Sequence, residues 1–306
     1  SLPLPKVEKT DRHYSMSPFI PEGKDLDLER ISLVMKMQAM GLVKRMQTVH
    51  QKKAVIGLSG GLDSTLALLV TVEAFKVLSY DLKGIDAITL PAFGTSKRTH
   101  DNAERLATEL GVSFEEIPIK SSLLLHFKDI AHDPKNENVT FENAQARERT
   151  QILMDLANDR NALMVGTGDL SELCLGWTTF NGDHMSMYGV NASIPKTLVR
   201  YLCEGYAFLH PEIAPSLNDI IATPISPELL PTDKKGEIAQ KTEDKVGPYE
   251  LNDFFIYHFL RFGYSVEKLY FIACQAYDGK YDHATIKKWL ASFMSRFFHN
   301  QFKRST

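Results

Sequence analysis

Residues 54–65 read AVIGLSGGLDST, a short apolar run followed by two glycines and a set of polar residues. The run at 54–58 predicts a buried strand, and residues 63–78 predict the helix that follows it. Two glycines between strand and helix let backbone N–H groups approach an anion at the positive end of the helix dipole. The loop lacks the GxxxxGK[ST] spacing that supports transfer of a terminal phosphoryl group. We therefore expect it to hold pyrophosphate as a leaving group.

Strand and helix signals alternate beyond this loop. Further strands are predicted at 85–90, 112–117 and 162–165, and helices at 25–50, from about 98, at 121–130, 141–158 and 283–298. Such alternation predicts right-handed crossovers, a buried parallel sheet and ligands bound outside the carboxyl ends of its strands. The predicted fold is α/β and Rossmann-like, with helices on both faces of the sheet and a helical C-terminal part after residue 195.

Composition excludes several classes of protein. The 306 residues carry 35 Lys and Arg against 38 Asp and Glu, so no broad basic face for nucleic acid is expected. No apolar run approaches the ~20 residues of a membrane span, and residues 1–20 lack the features of a signal peptide. The three cysteines, Cys174, Cys203 and Cys274, form no CxxC pair. They are interpreted as small buried hydrophobes in a protein of the reducing cytoplasm.

The first 24 residues contain four of the fourteen prolines and little apolar periodicity. This composition predicts an extended linker rather than a packed element. Because the sequence begins with Ser1 rather than Met, we expect an upstream domain to be missing. The predicted organisation is a linker at 1–24 and one catalytic domain at 25–306.

Polar residues in and after the glycine loop are the candidates for chemistry. Ser59, Ser64 and Thr65 offer hydroxyl donors, and Asp63 is placed to hold a magnesium ion whose other ligands are phosphate oxygens. For four later candidates, a purely structural interpretation stays open. Glu172 is compatible with an ordinary acid in a first helical turn, and Lys196 with a solvated helix residue. Trp177 is equally compatible with packing in the core, and Lys303 is compatible with a frayed polar tail near the C-terminus.

Residues 59–64, SGGLDS, resemble the signature of the PP-loop ATP pyrophosphatases, a membership that alone leaves the substrate open. Five later segments narrow the resemblance: GTGDLSE at 166–172, LGWTTFNGD at 175–183, NASIPK at 191–196, QKTEDKVGPY at 240–249 and QFKR at 301–304. Together they resemble NAD synthetase, in particular the synthetase domain of the glutamine-dependent enzymes. The resemblance implies a sheet of the adenine nucleotide alpha hydrolase type.

The resemblance also implies roles for individual residues. The implied catalytic residues are Asp63, Lys196, Thr167 and Glu172. The implied ligands of Mg²⁺ are Asp63 and Glu172. The implied ATP-binding residues are Ser59, Gly60, Gly61, Leu62, Asp63, Ser64, Thr65, Arg149, Thr167, Lys196 and Ser226. The implied deamido-NAD-binding residues are Asn143, Arg147, Glu172, Trp177, Thr178, Thr179, Phe180 and Lys303. Phe180 and Met187 depart from the smaller ammonia-dependent enzymes, which tend to carry Lys and Asp there.

The implied reaction is the ATP-dependent amidation of deamido-NAD to NAD, through an acyl adenylate, with release of AMP and pyrophosphate. ATP is the co-substrate, ammonia the nitrogen donor for this chain, and an upstream nitrilase-like glutaminase domain the expected ammonia source in the full-length protein. A homodimer or higher homo-oligomer is also implied. Two alternatives stay open: another PP-loop ligase, such as a GMP synthetase domain, and a non-catalytic nucleotide-binding sensor.

Overall fold

The computed structural model describes residues 10–23, 25–94, 97–223 and 242–304. Five short strands form one parallel sheet: β1 (Ala54–Gly57), β2 (Ile85–Thr89), β3 (Ser113–Glu116), β4 (Leu163–Gly166) and β5 (Tyr188–Gly189). Their order is β3-β2-β1-β4-β5. The four predicted strands are confirmed to within two residues at each end. The two-residue strand β5 was not predicted, because so short a segment shows no periodicity.

Twelve α-helices surround the sheet or follow it within the described ranges. They are α1 (Leu28–Thr48), α2 (Leu62–Leu78), α3 (Lys97–Glu109), α4 (Lys120–Asp129), α5 (Val139–Asp159), α6 (Leu170–Leu175), α7 (Lys196–Leu209), α8 (Ala214–Ile221), α9 (Thr242–Val246), α10 (Tyr249–Phe262), α11 (Val266–Ala276) and α12 (His283–His299). One-turn 3-10 helices lie at Leu82–Gly84 and Gln301–Arg304. Among the described residues, none of these helices is long and apolar enough to cross a membrane.

Alternate side chains of β1, β2 and β4 enter two different apolar layers, as a sheet covered on both faces requires. Ala54 and Ile56 of β1 pack with residues of α1, α2, α3, α7 and α8. Val55, which points to the opposite face, packs with residues of α4 and α5. The predicted Rossmann-like arrangement with helices on both faces is therefore confirmed.

A third apolar cluster forms the helical C-terminal part, from residues of α6, α10, α11 and α12. Residues 10–23 form no helix or strand, yet Tyr14 and Phe19 pack against this cluster. The hydroxyl of buried Tyr277 lies within hydrogen-bond distance of the carbonyl oxygens of Met16 (2.6 Å) and Glu250 (2.9 Å). The composition of this segment did not predict its packing, and its role as a linker to another domain stays a prediction.

His258 of α10 should make the stability of this cluster depend on pH. The side chain is 6% exposed among aromatic rings that include Tyr14, Phe254 and Tyr264. Burial lowers its pKa from 6.5 to about 4. Between these two values the unfolded chain binds a proton that the folded chain does not, so stability falls as the pH falls from 6.5 towards 4.

His258→Phe should remove this component, since a phenyl ring fills the same site and does not titrate. The measurement is the urea midpoint of unfolding at pH 7 and pH 5 in both proteins. We expect a smaller difference between the two pH values in the variant. An equal difference in variant and wild type would assign the pH dependence to other groups.

Candidate active site

A cavity of about 260 Å³ opens at the carboxyl ends of β1 and β4, which are neighbours at the point where the strand order reverses. Open α/β sheets bind ligands at this position. Its lining includes several residues predicted from the sequence: Ser59, Asp63, Ser64, Arg149, Thr167, Glu172 and Trp177. Segments far apart in the chain thus meet at one end of the sheet, as the predicted topology requires.

The glycine loop between β1 and α2 has a backbone that only glycine suits at one position. Gly60 has φ +83°, and a Cβ added there would collide with the carbonyl oxygen of Thr99. Ser64 Oγ donates to the Gly61 carbonyl oxygen at 3.1 Å, and the Gly61 N–H donates to Ser59 Oγ at 3.2 Å. Gly61 gives α2 no side-chain cap, so the helix presents N–H groups to the cavity.

Two other predicted residues of this loop are directed inwards. Leu62 is 5% exposed and belongs to the apolar core beneath the sheet, so its side chain packs and only its backbone is available to a phosphate. Thr65 is fully buried in the first turn of α2. The loop therefore combines a rim of backbone N–H groups with an anchored base.

Lys196, the first residue of α7, lies between three carboxylates from two other segments. Its Nζ is 2.6 Å from Asp63 Oδ2, 2.8 Å from Asp169 Oδ2 and 3.0 Å from Glu172 Oε1. The lysine side chain is 2% exposed and that of Asp169 is fully buried. The interpretation of Lys196 as a solvated helix residue is excluded, since its ammonium is enclosed by these groups.

The carboxylates and the ammonium control each other's ionisation. Burial alone would lower the pKa of Lys196, but attraction to Asp169, Asp63 and Glu172 raises it well above its ordinary value. Burial raises the pKa of Asp169 well above its ordinary value and that of Glu172 to about 7, against the lowering effect of Lys196. Lys196 therefore stays charged, whereas Asp169 and Glu172 hold their negative charge less firmly.

The same three carboxylates are suited to a divalent cation. Oxygens of Asp63, Asp169 and Glu172 lie within 4.8 Å of one another, and Asp63 Oδ1 is buried without a hydrogen-bond partner. When all three are ionised, one ammonium leaves two negative charges uncompensated. Carboxylate oxygens are the ligands that Mg²⁺ prefers, so the donor set and its charge both fit that ion.

Asp169 was not predicted as a site residue. Its spacing to Glu172 matches a capping box, and the structure contains one: Asp169 Oδ1 accepts from the Glu172 N–H at 2.7 Å. The other oxygen of Asp169 faces Lys196. The interpretation of Glu172 as a first-turn acid is therefore correct but incomplete, since its side chain also enters the carboxylate cluster.

Asn191 is a second residue whose role the sequence did not reveal. Its Nδ2 donates to the carbonyl oxygens of Asp63 (2.9 Å) and Thr167 (3.2 Å), which joins the first turn of α2 to the loop after β4. Gln38 Nε2 donates to Asn191 Oδ1 at 3.1 Å, and both side chains are buried. The available signal was the position of Asn191 at the start of the NASIPK segment.

The residues predicted to bind deamido-NAD surround the loop at 176–183. Asn143 Oδ1 accepts from Thr179 Oγ1 at 2.8 Å, and Arg147 Nε donates to the Phe180 carbonyl oxygen at 3.2 Å. Lys303 Nζ donates to the Thr178 carbonyl oxygen at 2.6 Å. Lys303 is therefore held in place rather than frayed.

Only some of the residues predicted to bind deamido-NAD line the main cavity, which is the one at the carboxyl ends of β1 and β4. Trp177 lines it beneath the guanidinium of Arg296, which lies 5.4 Å from the centre of its ring. Lys303 instead lines a second cavity of about 360 Å³. Asp183, which was not predicted, lines the main cavity, and burial raises its pKa. Ser226 lies outside the described residues.

Comparison with known proteins identifies the family. Residues 34–257 match the family model described as NAD synthase. The chain belongs to the NAD synthase family. The resemblance found in the sequence segments around the cavity is thereby confirmed.

Two relatives that are similar in sequence are longer than this chain. The glutamine-dependent NAD(+) synthetase of Mycobacterium leprae is 38% identical over 319 residues, covering 96% of this chain and 47% of that protein. The one of Thermotoga maritima is 30% identical over 232 residues, covering 75% of this chain and 37% of that protein. The chain thus spans about half the length of the M. leprae relative.

Solved structures of low sequence identity share the fold. A glutamine-dependent NAD(+) synthetase from Cytophaga hutchinsonii gives a TM-score of 0.69 at 18% identity, covering 89% of this chain and 49% of that one. The NMN synthetase from Francisella tularensis gives 0.66 at 20% identity, covering 90% of this chain and 96% of that one. At such identities the likeness shows the fold alone.

Two substitutions in the carboxylate cluster should change cation affinity in opposite directions. Asp63→Asn removes a charged ligand and should weaken the binding of Mn²⁺, used here as a paramagnetic probe. Lys196→Met removes the competing ammonium and should strengthen that binding in the absence of nucleotide. The free Mn²⁺ signal in electron paramagnetic resonance titrations at pH 8 measures both effects. Weaker binding in both variants would show that the lysine does not compete with the cation.

Proposed function

We propose that this chain catalyses the ATP-dependent amidation of deamido-NAD to NAD through an acyl adenylate, releasing AMP and pyrophosphate. The proposal rests on one observation: in a member of the NAD synthase family, Asp63, Glu172 and Lys196 converge beside an uncapped glycine loop at the switch point of the sheet. A sensor that only binds nucleotide has no need of a buried lysine among three carboxylates. This feature favours an enzyme.

The chemistry explains why these groups are needed. A carboxylate is a poor acyl donor, so the nicotinate carboxylate attacks the α-phosphorus of ATP and pyrophosphate leaves. The glycine loop, with Ser59 and Ser64, is placed to bind the departing phosphates, and Lys196 to neutralise their growing charge. Asp63 and Glu172, with Asp169 beside them, would hold Mg²⁺, which would supply further positive charge to the phosphate oxygens. Arg149 and Thr167 line the same cavity and are proposed ATP contacts.

Ammonia then attacks the adenylate carbonyl and AMP leaves, a step that requires no side-chain nucleophile. The cysteines of the chain agree with this scheme. Burial raises the pKa of Cys174 to about 12 and also raises those of Cys203 and Cys274, which disfavours the thiolate that a glutaminase requires. At fixed total ammonium, the rate should rise with pH because only unprotonated ammonia carries the attacking lone pair.

The wider context of this reaction is also a proposal. The glutamine-dependent relatives suggest an upstream glutaminase domain that supplies ammonia, with residues 1–24 as the connection to it. Asn143, Arg147 and the loop at 176–183 are the proposed deamido-NAD contacts, together with Lys303. Self-association into a homodimer or larger homo-oligomer, with α5 near the interface, belongs to the same proposal.

The test supplies the chain with ATP, Mg²⁺ and an ammonium salt, and with one of three acids: deamido-NAD, nicotinate mononucleotide or XMP. The second acid is included because one structural neighbour is an NMN synthetase. We expect pyrophosphate, AMP and an amide product with deamido-NAD. Asp63→Asn should lower this rate by on the order of 10²-fold while far-UV circular dichroism stays unchanged.

Each other outcome assigns a different function. Turnover of XMP alone would indicate a GMP synthetase domain, and turnover of the mononucleotide alone a different pyridine substrate. Nucleotide binding without pyrophosphate release from any acid would indicate the sensor. Equal rates with ammonia-free glutamine would contradict the proposed use of free ammonia.

A further inference from the structure

Asp253 lies on α10, outside the cavity lining, and is 1% exposed. Its carboxylate receives hydrogen bonds from two other helices. Oδ1 accepts from the hydroxyl of Ser171 on α6, and Oδ2 accepts from the N–H (2.9 Å) and Oγ1 (2.7 Å) of Thr197 on α7. A carboxylate has acceptors only, so it matches three donors in a way that the amide of asparagine does not.

These bonds replace a local cap at the start of α7. Pro195 is the N-cap residue and offers no side-chain acceptor, so the first N–H groups of the helix need acceptors from elsewhere. The Lys196 N–H donates to Ser171 Oγ at 2.9 Å, and the Thr197 N–H donates to Asp253. A continuous chain of hydrogen bonds therefore runs from the Lys196 backbone through Ser171 to Asp253.

The two helices held in this way carry the charged groups of the proposed site. Ser171 directly precedes Glu172 and lies two residues after Asp169, whereas Thr197 directly follows Lys196. The carboxylate of Asp253 thus fixes the start of α6 relative to the start of α7. Burial raises the pKa of Asp253 to about 6, and the hydrogen bonds from Ser171 and Thr197 oppose this rise because they favour the charged carboxylate.

We propose that Asp253 is a positioning residue, which sets Lys196 against Glu172 and Asp169 without touching substrate. The part of this inference that concerns pyrophosphate release rests on the proposed function. Displacing a charged group by about 1 Å can cost on the order of 10²-fold in rate, so the loss of this carboxylate should reduce catalysis more than binding.

The first experiment follows pyrophosphate release in a single turnover with ATP, Mg²⁺ and deamido-NAD. Asp253→Asn should slow release by on the order of 10-fold to 10²-fold, and its steady-state KM for either substrate should change by less than about threefold. Asp253→Glu, which keeps the acceptors on a longer stem, should recover part of the rate. Ser171→Ala interrupts the same hydrogen-bond chain and should slow release if the aspartate variants do not fold.

Ser216→Ala is the matched control. Ser216 is also fully buried and donates one hydrogen bond, to Glu109 at 2.8 Å, but its partner lies on α3. The Ser216→Ala substitution should lower the urea midpoint of unfolding without changing the rate of pyrophosphate release. Equal rates in Asp253→Asn and Ser216→Ala, with both proteins folded, would overturn the proposal.

A double-mutant cycle tests whether Asp253 acts through Lys196. In a Lys196→Ala background, Asp253→Asn should slow release by less than about twofold, because the group that it positions is absent. If Asp253→Asn slows pyrophosphate release as strongly in that background as in the wild type, Asp253 acts by another route. That result would contradict the positioning role.

A measurement without turnover separates this inference from the proposed function. If Asp253 holds Lys196 among the carboxylates, Asp253→Asn should strengthen Mn²⁺ binding in nucleotide-free titrations, although it removes a negative charge. Ser216→Ala should leave that affinity unchanged. Stronger Mn²⁺ binding without pyrophosphate release in the wild type would refute the proposed reaction alone. Unchanged or weaker binding in Asp253→Asn would refute the positioning of Lys196.

Discussion

The buried ammonium of Lys196 is the constraint on which the rest of the site depends. An unpaired charge at that depth is costly, so the lysine is retained only where carboxylates surround it with good geometry. Asp63 comes from the first turn of α2, and Asp169 and Glu172 come from the start of α6. Three segments must therefore meet within a few ångströms, and much of the fold around the switch point serves this convergence.

Parallel strand order brings these segments close, and individual contacts then set their distances. Adjacent β1 and β4 end at the same edge of the sheet, so the start of α2 with Asp63 lies beside the loop with Thr167. Asn191 joins these two segments through their carbonyl oxygens. Gly60 lets the glycine loop pass close to Thr99, where a side chain has no room. Asp253 secures the helices that carry Lys196 and Glu172.

The sequence predicted features that depend on local patterns. Alternating apolar runs located β1 to β4, and the two glycines located the turn between β1 and α2. Features created by distant contacts were missed. The Asp169-x-x-Glu172 spacing describes a helix cap, and nothing local shows that the free oxygen of Asp169 meets a lysine 27 residues later. Asp253 lies 82 residues from Ser171, beyond the reach of any periodicity.

We interpret Asp63, Asp169 and Glu172 as one cation-binding cluster, whose carboxylates interact with both the Lys196 ammonium and the metal ion. The most direct measurement is a crystal structure of the protein with Mn²⁺ and a non-hydrolysable ATP analogue, using anomalous scattering to locate the metal. The account predicts a manganese peak bonded to Asp63 and Glu172, with Lys196 Nζ moved from these carboxylates towards the phosphates. A manganese peak elsewhere, with Lys196 still in contact with all three carboxylates, would contradict it.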